Sequence, residues 1–479
     1  MLKILNRLGQ NYSYQNIKNH VIDFITDDSR LVSSNSIFVA KKVEYINDAI
    51  AKGAKTIIVN SNINLESKVN VIIVNDLDLF LSESLKILYK KKFKHLKLVG
   101  ITGTNGKSSV AFILYELLNK CKVKCLLIGT HIVKYNSVNV KTNNTTLSLS
   151  EIYYYLKQSK IKKGFLIMEV SSQGIATGRV KGLQFDYLIF TSITSDHLDY
   201  HITIDNYVNT KLSLLKQLKK DGTIILNREC NYYKDILLII ENTNSVFSYG
   251  FTDSKVKKQD YQISIINDKK FKITHFKEDE IFFYHTIGFN NLRNLTITYI
   301  FSQTLSLKKN IVSDFINNFE YVDGRLEKIN VGKQIIIIDY AHTSSAVLDL
   351  IQEVKSYYQK DVCVVIGCGG NRDKTKRPII GDTLLKFADR RIITTDNNRC
   401  EKFSDIVCDI VRNNKNDFVI IENRMTAIFY ALSTVDENEI ILILGKGTEK
   451  SGPESFYMTD KEIVKCWEEK HALFNNCFN

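Results

Sequence analysis

Residues Leu98–Leu118 read LVGITGTNGKSSVAFILYELL. The apolar run up to Thr102 reads as a buried strand, and Lys107–Lys120 (KSSVAFILYELLNK) reads as a helix, so GTNGKS is a strand-to-helix turn. Glycines let a backbone curl around an anion with its N–H groups pointing inward, and the helix N-terminus adds partial positive charge. Lys107 can then reach the β- and γ-phosphates, and the Ser108 hydroxyl can ligate Mg²⁺. The spacing is Gly100-x-x-Gly103-x-x-Gly106-Lys107-Ser108, with Ile101 where the strict Walker pattern has glycine. The turn predicts ATP held by Gly103, Thr104, Asn105, Gly106, Lys107, Ser108 and Ser109.

Working outward, apolar strand-like runs alternate with helical stretches along the whole chain. SIFVA, TIIVN and VNVIIV fall in residues 1–90. HLKLVGIT, GFLIMEV, FDYLIFTSI and GTIILN fall in 91–320, and QIIIIDY, DVCVVIG, RRIITTD, FVIIE and EIILILG in 321–479. Such alternation predicts an α/β protein of three domains with parallel sheets covered on both faces, a P-loop ATPase domain in the centre and a Rossmann-like domain at the C-terminus. Ligands then sit beyond the carboxyl ends of the strands.

A length of 479 residues suits about three domains, and 44% hydrophobic with 24% charged residues is a soluble globular composition. No apolar run approaches a membrane span, and the first 16 residues lack the apolar core and cleavage site of a secretory leader. The nine cysteines form no CxxC pair, which points to reduced thiols and a cytoplasmic protein. The net charge of +13 is spread along the chain without a compact nucleic-acid motif, so an Ile/Lys/Asn-heavy, proline-poor composition such as biased coding gives, together with pockets for anionic small molecules, explains it better than DNA or RNA.

A second cluster follows the phosphate loop. MEVSS ends a strand at Glu169, SDHLDYH presents Asp196, His197 and Asp199 after the next strand, and a helical stretch carries Lys211. A carboxylate and an imidazole at neighbouring strand ends can share a hard cation with nucleotide phosphates.

These segments resemble the Mur ligases, the ATP-dependent amide-forming enzymes of peptidoglycan precursor synthesis. The resemblance runs in order through DDSRLVSSNSIFVA, GITGTNGKSS, NNTT, MEVSS, SDHLDYH, GFNNLRN, DGRLE, DYAHT, GCGGNRDKTKRP, DNNR and GKGTE. GCGGNRDKTKRP and DHLDYH are similar to members adding the third amino acid, diaminopimelate or lysine. The resemblance implies a UDP-binding N-terminal domain, a role in cell wall biogenesis, cell shape and division, a monomer, and small-molecule partners without nucleic acid or membrane.

It also implies site residues. Lys107, Glu169, His197 and Lys211 would be catalytic, and Ser108, Glu169, His197 and a carbamylated Lys211 would hold Mg²⁺. Only a neutral amine reacts with CO₂, which asks for a desolvated pocket. Asn291, Asn294, Arg325, Asp339 and His342 would join the ATP site. Ser29, Asn144, Thr145, Thr146, Ser171, Thr177 and Arg179 would bind the UDP-linked dipeptide. Arg372, Asp396, Asn397, Asn398, Arg399, Gly445 and Glu449 would bind diaminopimelate, with Arg399 on the distal carboxylate that lysine lacks.

The chain departs from the family pattern in a shortened loop after Ala40 and at Leu147, Gln173, Ser192, Asn398 and Thr448. The expected activity is ligation of meso-diaminopimelate to UDP-N-acetylmuramoyl-L-alanyl-D-glutamate through an acyl phosphate. The alternatives are a lysine-adding enzyme, a folylpolyglutamate synthase-like ligase, a non-catalytic ATP-binding module and a nucleic-acid-dependent ATPase.

Overall fold

The computed structural model describes residues 12–15, 20–63, 65, 69–240, 242, 244–252, 260–286, 288–451 and 457–477. Most of the N-terminal stretch read for a secretory leader lies outside them. The chain falls into two compact units, Met1–Ile193 with Val208–Ser248, and Thr194–Tyr207 with Tyr249–Asn479.

The first unit opens with β1 (Tyr12–Gln15), β2 (Phe24–Thr26), β3 (Ser36–Val39), β4 (Thr56–Val59) and β5 (Asn70–Val74). They form a sheet in the order β1-β5-β4-β3-β2, parallel except for β1. Phe38, Ala49, Ile57 and Val71 fill its core. The helix Leu77–Tyr89 follows, its first turn capped by Asp76, which accepts from Leu79 N at 2.9 Å. Tyr89 stacks on Phe93 and lies 5.4 Å from the Tyr153 ring, and Lys157 pairs with Asp23 at 2.5 Å. These contacts seat the small sheet on the helix Leu149–Ser159 of the larger one.

That larger sheet contains β6 (His95–Thr102), β7 (Cys125–Gly129), β8 (Ile132–Tyr135), β9 (Val138–Lys141), β10 (Lys163–Glu169), β11 (Phe185–Phe190) and β12 (Leu218–Asn227). Its order is β12-β11-β6-β10-β7-β8-β9, and β6, with parallel neighbours on both sides, is central. Residues such as Val99, Ile101, Leu166 and Ile167 are buried, as expected for strands covered by helices on both faces.

β13 (Ser245–Phe251) begins in the first unit and ends in the second, where it runs parallel to β14 (Tyr261–Asn267), which continues into β15 (Lys270–His275) and β16 (Glu278–Phe283) as an antiparallel meander. The C-terminal sheet holds β17 (Glu327–Val331), β18 (Gln334–Asp339), β19 (Asp361–Ile366), β20 (Arg390–Ile393), β21 (Val419–Ile420) and β22 (Glu439–Leu444). The order is β17-β18-β22-β19-β20-β21, with only β17 antiparallel. Alternate residues supply two cores: Ile337, Val364 and Leu442 face one, Ile336, Val365 and Ile443 the other. Burial on both faces is why these strands are unbroken apolar runs. Among the described residues no helix is long and apolar enough to cross a membrane, and every cysteine whose side chain is described is a free thiol.

Candidate active site

The phosphate loop occupies residues 103–106, between the carboxyl end of β6 and the helix Lys107–Lys120. Gly103 has φ +152°, and a Cβ there would sit 2.0 Å from Thr191 Oγ1. Only glycine fits that approach. The end of β11 braces the loop from outside. Thr104 N donates to Ser192 O (2.7 Å), Asn105 N to Ser192 Oγ (3.0 Å), and Thr191 Oγ1 to Asn105 O (2.5 Å). Ser192 therefore keeps a working role despite departing from the family's asparagine.

Lys107 Nζ donates to the carbonyls of Gly103 (2.9 Å) and Thr104 (2.8 Å). Lys211 is 1% exposed and donates to Gly103 O at 2.9 Å, so it backs the loop from within the protein. Glu169, the last residue of β10, is equally buried. Its carboxylate accepts from Ser108 Oγ (2.8 Å), Thr130 N (2.7 Å) and Thr130 Oγ1 (3.0 Å). The structure thus gathers Lys107, Ser108, Glu169 and Lys211 around one turn. Thr130 was not legible as a partner, although its place just beyond the apolar strand LLIG was the available signal.

The residues expected to hold the UDP-linked substrate adjoin this turn in part. Thr146 Oγ1 donates to Glu169 O (3.0 Å), lies 3.1 Å from Ser171 Oγ and accepts from Ser171 N (2.9 Å). Arg179 Nη1 donates to Thr146 O at 2.9 Å, and Thr145 Oγ1 lies 3.3 Å from Thr130 Oγ1. Thr177 Oγ1 turns back to Gln173 O at 2.7 Å. Asn144 lies in the exposed turn before Thr145. Ser29 lies in the N-terminal sheet's own turn Ser29–Leu31, beside Asp48.

His197 belongs to the second unit, in left-handed backbone at φ +54°, its N–H donating to Asp196 Oδ1 at 2.9 Å. Asn291 and Asn294 lie buried in the first turns of the helix Phe289–Thr304, and Asn291 Nδ2 donates to Thr286 Oγ1 at 2.5 Å. Among the described residues no three His, Cys, Asp or Glu side chains gather as a metal site.

The C-terminal sheet brings the remaining motifs to the carboxyl ends of its strands. Asp339 accepts from Leu326 N (2.8 Å) and Ala341 N (2.7 Å), which ties DGRLE to DYAHT. Burial raises its carboxyl above the ordinary value, against the pull of Arg325 and these donors. Arg325 lies 4.5 Å over the Tyr340 ring. Burial, then Lys376, pushes His342 down to about 4, so its imidazole is neutral at pH 7. Its Nδ1 lies 2.9 Å from Tyr340 O, a pure acceptor, which assigns the proton to Nδ1 and leaves Nε2 as an acceptor.

Tyr340 Oη donates to Glu449, whose other oxygen accepts from Asn397 Nδ2 at 2.7 Å. Lys446, 1% exposed, donates to Asn397 Oδ1 at 3.2 Å and lies 3.7 Å from Asp396. Burial lowers its ammonium below the ordinary value, while Asp396 opposes that shift. Gly445, with φ +105°, follows β22 beside Asp396. Arg399 Nη1 donates to Gly370 O at 2.7 Å, and exposed Arg372 lies on the loop after β19. DNNR and GKGTE therefore form one polar basin, in which Lys446 and Tyr340 are members that sequence reasoning did not single out.

Family models match two stretches of the chain: the Mur ligase middle domain over residues 101–301 and the Mur ligase, glutamate ligase domain over residues 324–447. The UDP-N-acetylmuramoyl-L-alanyl-D-glutamate--2,6-diaminopimelate ligase of Fusobacterium nucleatum is 32% identical over 92% of this chain and 93% of its own length. The chain belongs to the Mur ligase family. A Clostridium perfringens protein of the same name is 32% identical over 96% of this Mur ligase and 98% of its own length. Solved structures show the same fold. One, of a UDP-N-acetylmuramoyl-L-alanyl-D-glutamate--2,6-diaminopimelate ligase, has TM-score 0.65 and 23% identity over 94% of this chain and 95% of that one. Another, MurF ligase from Thermotoga maritima in complex with ADP, has TM-score 0.64 and 16% identity over 95% and 99%.

Proposed function

We propose that this Mur ligase joins meso-2,6-diaminopimelate to UDP-N-acetylmuramoyl-L-alanyl-D-glutamate, with cleavage of ATP to ADP and phosphate, in the cytoplasmic synthesis of peptidoglycan precursor. The observation that carries this reading is the Glu169–Ser108 contact at 2.8 Å, set on a phosphate loop backed by buried Lys211. The names of the full-length relatives support the choice of substrates.

A terminal carboxylate of the UDP-linked dipeptide attacks the γ-phosphorus of ATP, and the β–γ bridging bond breaks to release ADP. The diaminopimelate amine then adds to the acyl phosphate carbon, loses its proton, and phosphate leaves as the amide forms. Such chemistry chiefly needs two anions brought together and oriented. Lys107 and the N–H groups of residues 106–109 at the start of its helix would hold the phosphates, with Gly103, Thr104 and Asn105 shaping the turn around them. Asn291, Asn294, Arg325, Asp339 and His342 would complete the nucleotide site, with His342 Nε2 free in type to accept a ribose hydroxyl. Ser29, Asn144, Thr145, Thr146, Ser171, Thr177 and Arg179 would orient the UDP-linked substrate.

Ser108 and Glu169 offer hard oxygen donors, which suit Mg²⁺ with phosphate oxygens completing the shell. His197 and a carbamylated Lys211 would complete the protein's share. Bound Mg²⁺ neutralises phosphate charge. Burial of Lys211 supports carbamylation, because CO₂ adds only to an uncharged amine.

Arg372, Asp396, Asn397, Asn398, Arg399, Gly445 and Glu449 would receive diaminopimelate, with the Arg399 guanidinium favouring a distal carboxylate over the ammonium of lysine. The domain limits 1–90, 91–320 and 321–479, a monomeric state and independence from nucleic acid belong to the same reading. The test is phosphate release from ATP and Mg²⁺. Release that requires both the UDP-linked dipeptide and diaminopimelate is expected. Equal release without either one, or stimulation by DNA or RNA, would remove the proposal.

A further inference from the structure

Arg377 is a charged residue at the amino-acid end of the molecule that none of the proposed binding roles uses. It is the second residue of the helix Lys376–Phe387 and is fully buried. Its guanidinium forks onto Glu401, Nη1 to Oε1 and Nη2 to Oε2, both at 2.8 Å. The same fork reaches Asp409 Oδ2 at 2.8 Å and Gly369 O at 3.0 Å. Glu401 in turn accepts from Asn371 N at 2.9 Å and pairs with Lys374 at 2.7 Å. Arg377, then Lys374 and Asn371, hold its carboxyl well below the usual carboxylate range.

This pair locks two loops from different strand ends, GCGGNRDKTK after β19 and DNNRCE after β20. The loops interlock by backbone as well. Gly370 N donates to Asn397 O at 2.9 Å, and within DNNRCE Glu401 N closes a turn onto Asn398 O at 3.0 Å. A Cβ on Gly370 would lie 1.9 Å from Asn398 O, so no larger residue allows this approach. At the tip stands Arg399, two residues before Glu401, in left-handed backbone at φ +51° and donating to Gly370 O at 2.7 Å. The backbone that aims Arg399 is therefore fastened on one side by Glu401 and on the other by the loop that Arg377 anchors.

We propose that Arg377 and Glu401 are positioning residues for the distal carboxylate of the incoming diacid: without touching it, they fix the aim of Arg399 and so set diaminopimelate affinity and its preference over lysine. The inference rests on the diaminopimelate ligase reading. A planar bidentate fork transmits geometry in a way that a lysine's point charge does not. Supporting groups behind a binding residue govern how well that residue is preorganised.

The experiment compares the unaltered protein with Arg377→Lys and Glu401→Gln, measuring KM for each substrate, kcat and melting temperature. Arg377→Met/Glu401→Leu accompanies them, because it leaves neither of the two paired charges buried alone. The KM for diaminopimelate is expected to rise at least about tenfold and the diaminopimelate-to-lysine ratio of kcat/KM to fall at least about tenfold. KM for ATP, KM for the UDP-linked dipeptide and kcat at saturation should stay within about twofold. An unchanged diaminopimelate KM in a folded variant would overturn the role, and so would parallel rises in all three KM values, the mark of general loosening. Absence of diaminopimelate-dependent turnover in the unaltered protein would instead overturn the parent reading.

Discussion

At the scale of single residues, Glu169 and Lys211 separate a chemical role from a packing one. The Glu169 carboxylate is held by two hydroxyls and one N–H. In Glu169→Gln the amide oxygen can still accept from Thr130 N and the NH₂ can donate to the hydroxyls, so the fold should melt near the wild-type temperature. The charge that would face a cation is gone, and turnover should fall by about 100-fold or more. Steady-state phosphate release checks this, and wild-type turnover would remove Glu169 from the metal site. Lys211→Ala makes a different prediction. It removes one of the two donors to Gly103 O, Lys107 keeping the other, at a cost of about 0.5–1.5 kcal/mol, and it removes any carbamate. Activity should drop and return in part with a short carboxylic acid added to the assay, while the melting temperature stays low. Full activity without the added acid would exclude a catalytic carbamate. Lys211 was picked out in the sequence by family resemblance alone, because a lysine in an amphipathic helix looks like a surface residue. Its burial depends on a loop more than a hundred positions earlier, which no local pattern encodes.

At the scale of elements, legibility followed the kind of burial. The strand His95–Thr102 and the helix Lys107–Lys120 occupy the residues read for them, because a strand buried on both faces and a glycine turn leave strong local marks. FVIIE shrinks to Val419–Ile420, since this edge strand pairs on one side only, through Ile392 and Ile393. The hairpin of β8 and β9 and the meander of β14 to β16 were not singled out. Their half-exposed strands mix lysines with apolar residues, and Ile265, Ile266, Ile281 and Phe283 face outward. Within the site, loops at strand ends were legible as motifs, whereas their mutual grip was not: Ser192 bracing residues 104–105 joins positions far apart in sequence. That grip carries a prediction. In Gly103→Ala the new Cβ would meet Thr191 Oγ1 and the Ser192 backbone, at 2.0 and 2.9 Å. Relieving this must move the loop, at a cost of about 1–3 kcal/mol, so nucleotide affinity should weaken by about fivefold or more. Calorimetric titration with ADP measures it, and wild-type affinity would mean the loop is not the nucleotide cradle.

At the scale of the whole molecule, one carboxylate couples segments matched to different family domains. Glu353 lies on the helix Ser344–Tyr358, inside the stretch matched to the glutamate ligase domain. It accepts from Phe289 N at 3.0 Å, at the start of the helix that ends the stretch matched to the middle domain. Burial pushes this carboxyl up to about 7, and Asp349 adds to the rise, against the N–H groups of Phe289 and Asn290 and the charge of Arg293. A raised carboxyl binds its proton more tightly in the folded chain than in the unfolded one. Its stabilising contribution is therefore complete below the unfolded value near 4.5 and disappears as pH rises through about 7. Glu353→Gln keeps an oxygen for the Phe289 N–H and never ionises. Its melting temperature should match wild type near about pH 5 and exceed it near about pH 8, with the gap opening between them. Thermal unfolding followed across that range decides the matter. A gap of constant size would mean that the Glu353 charge is already accommodated in the fold. A gap that opens as expected would place a pH-sensitive fastening between the helix presenting Asn291 and Asn294 and the helix that follows His342, two segments assigned to the same nucleotide.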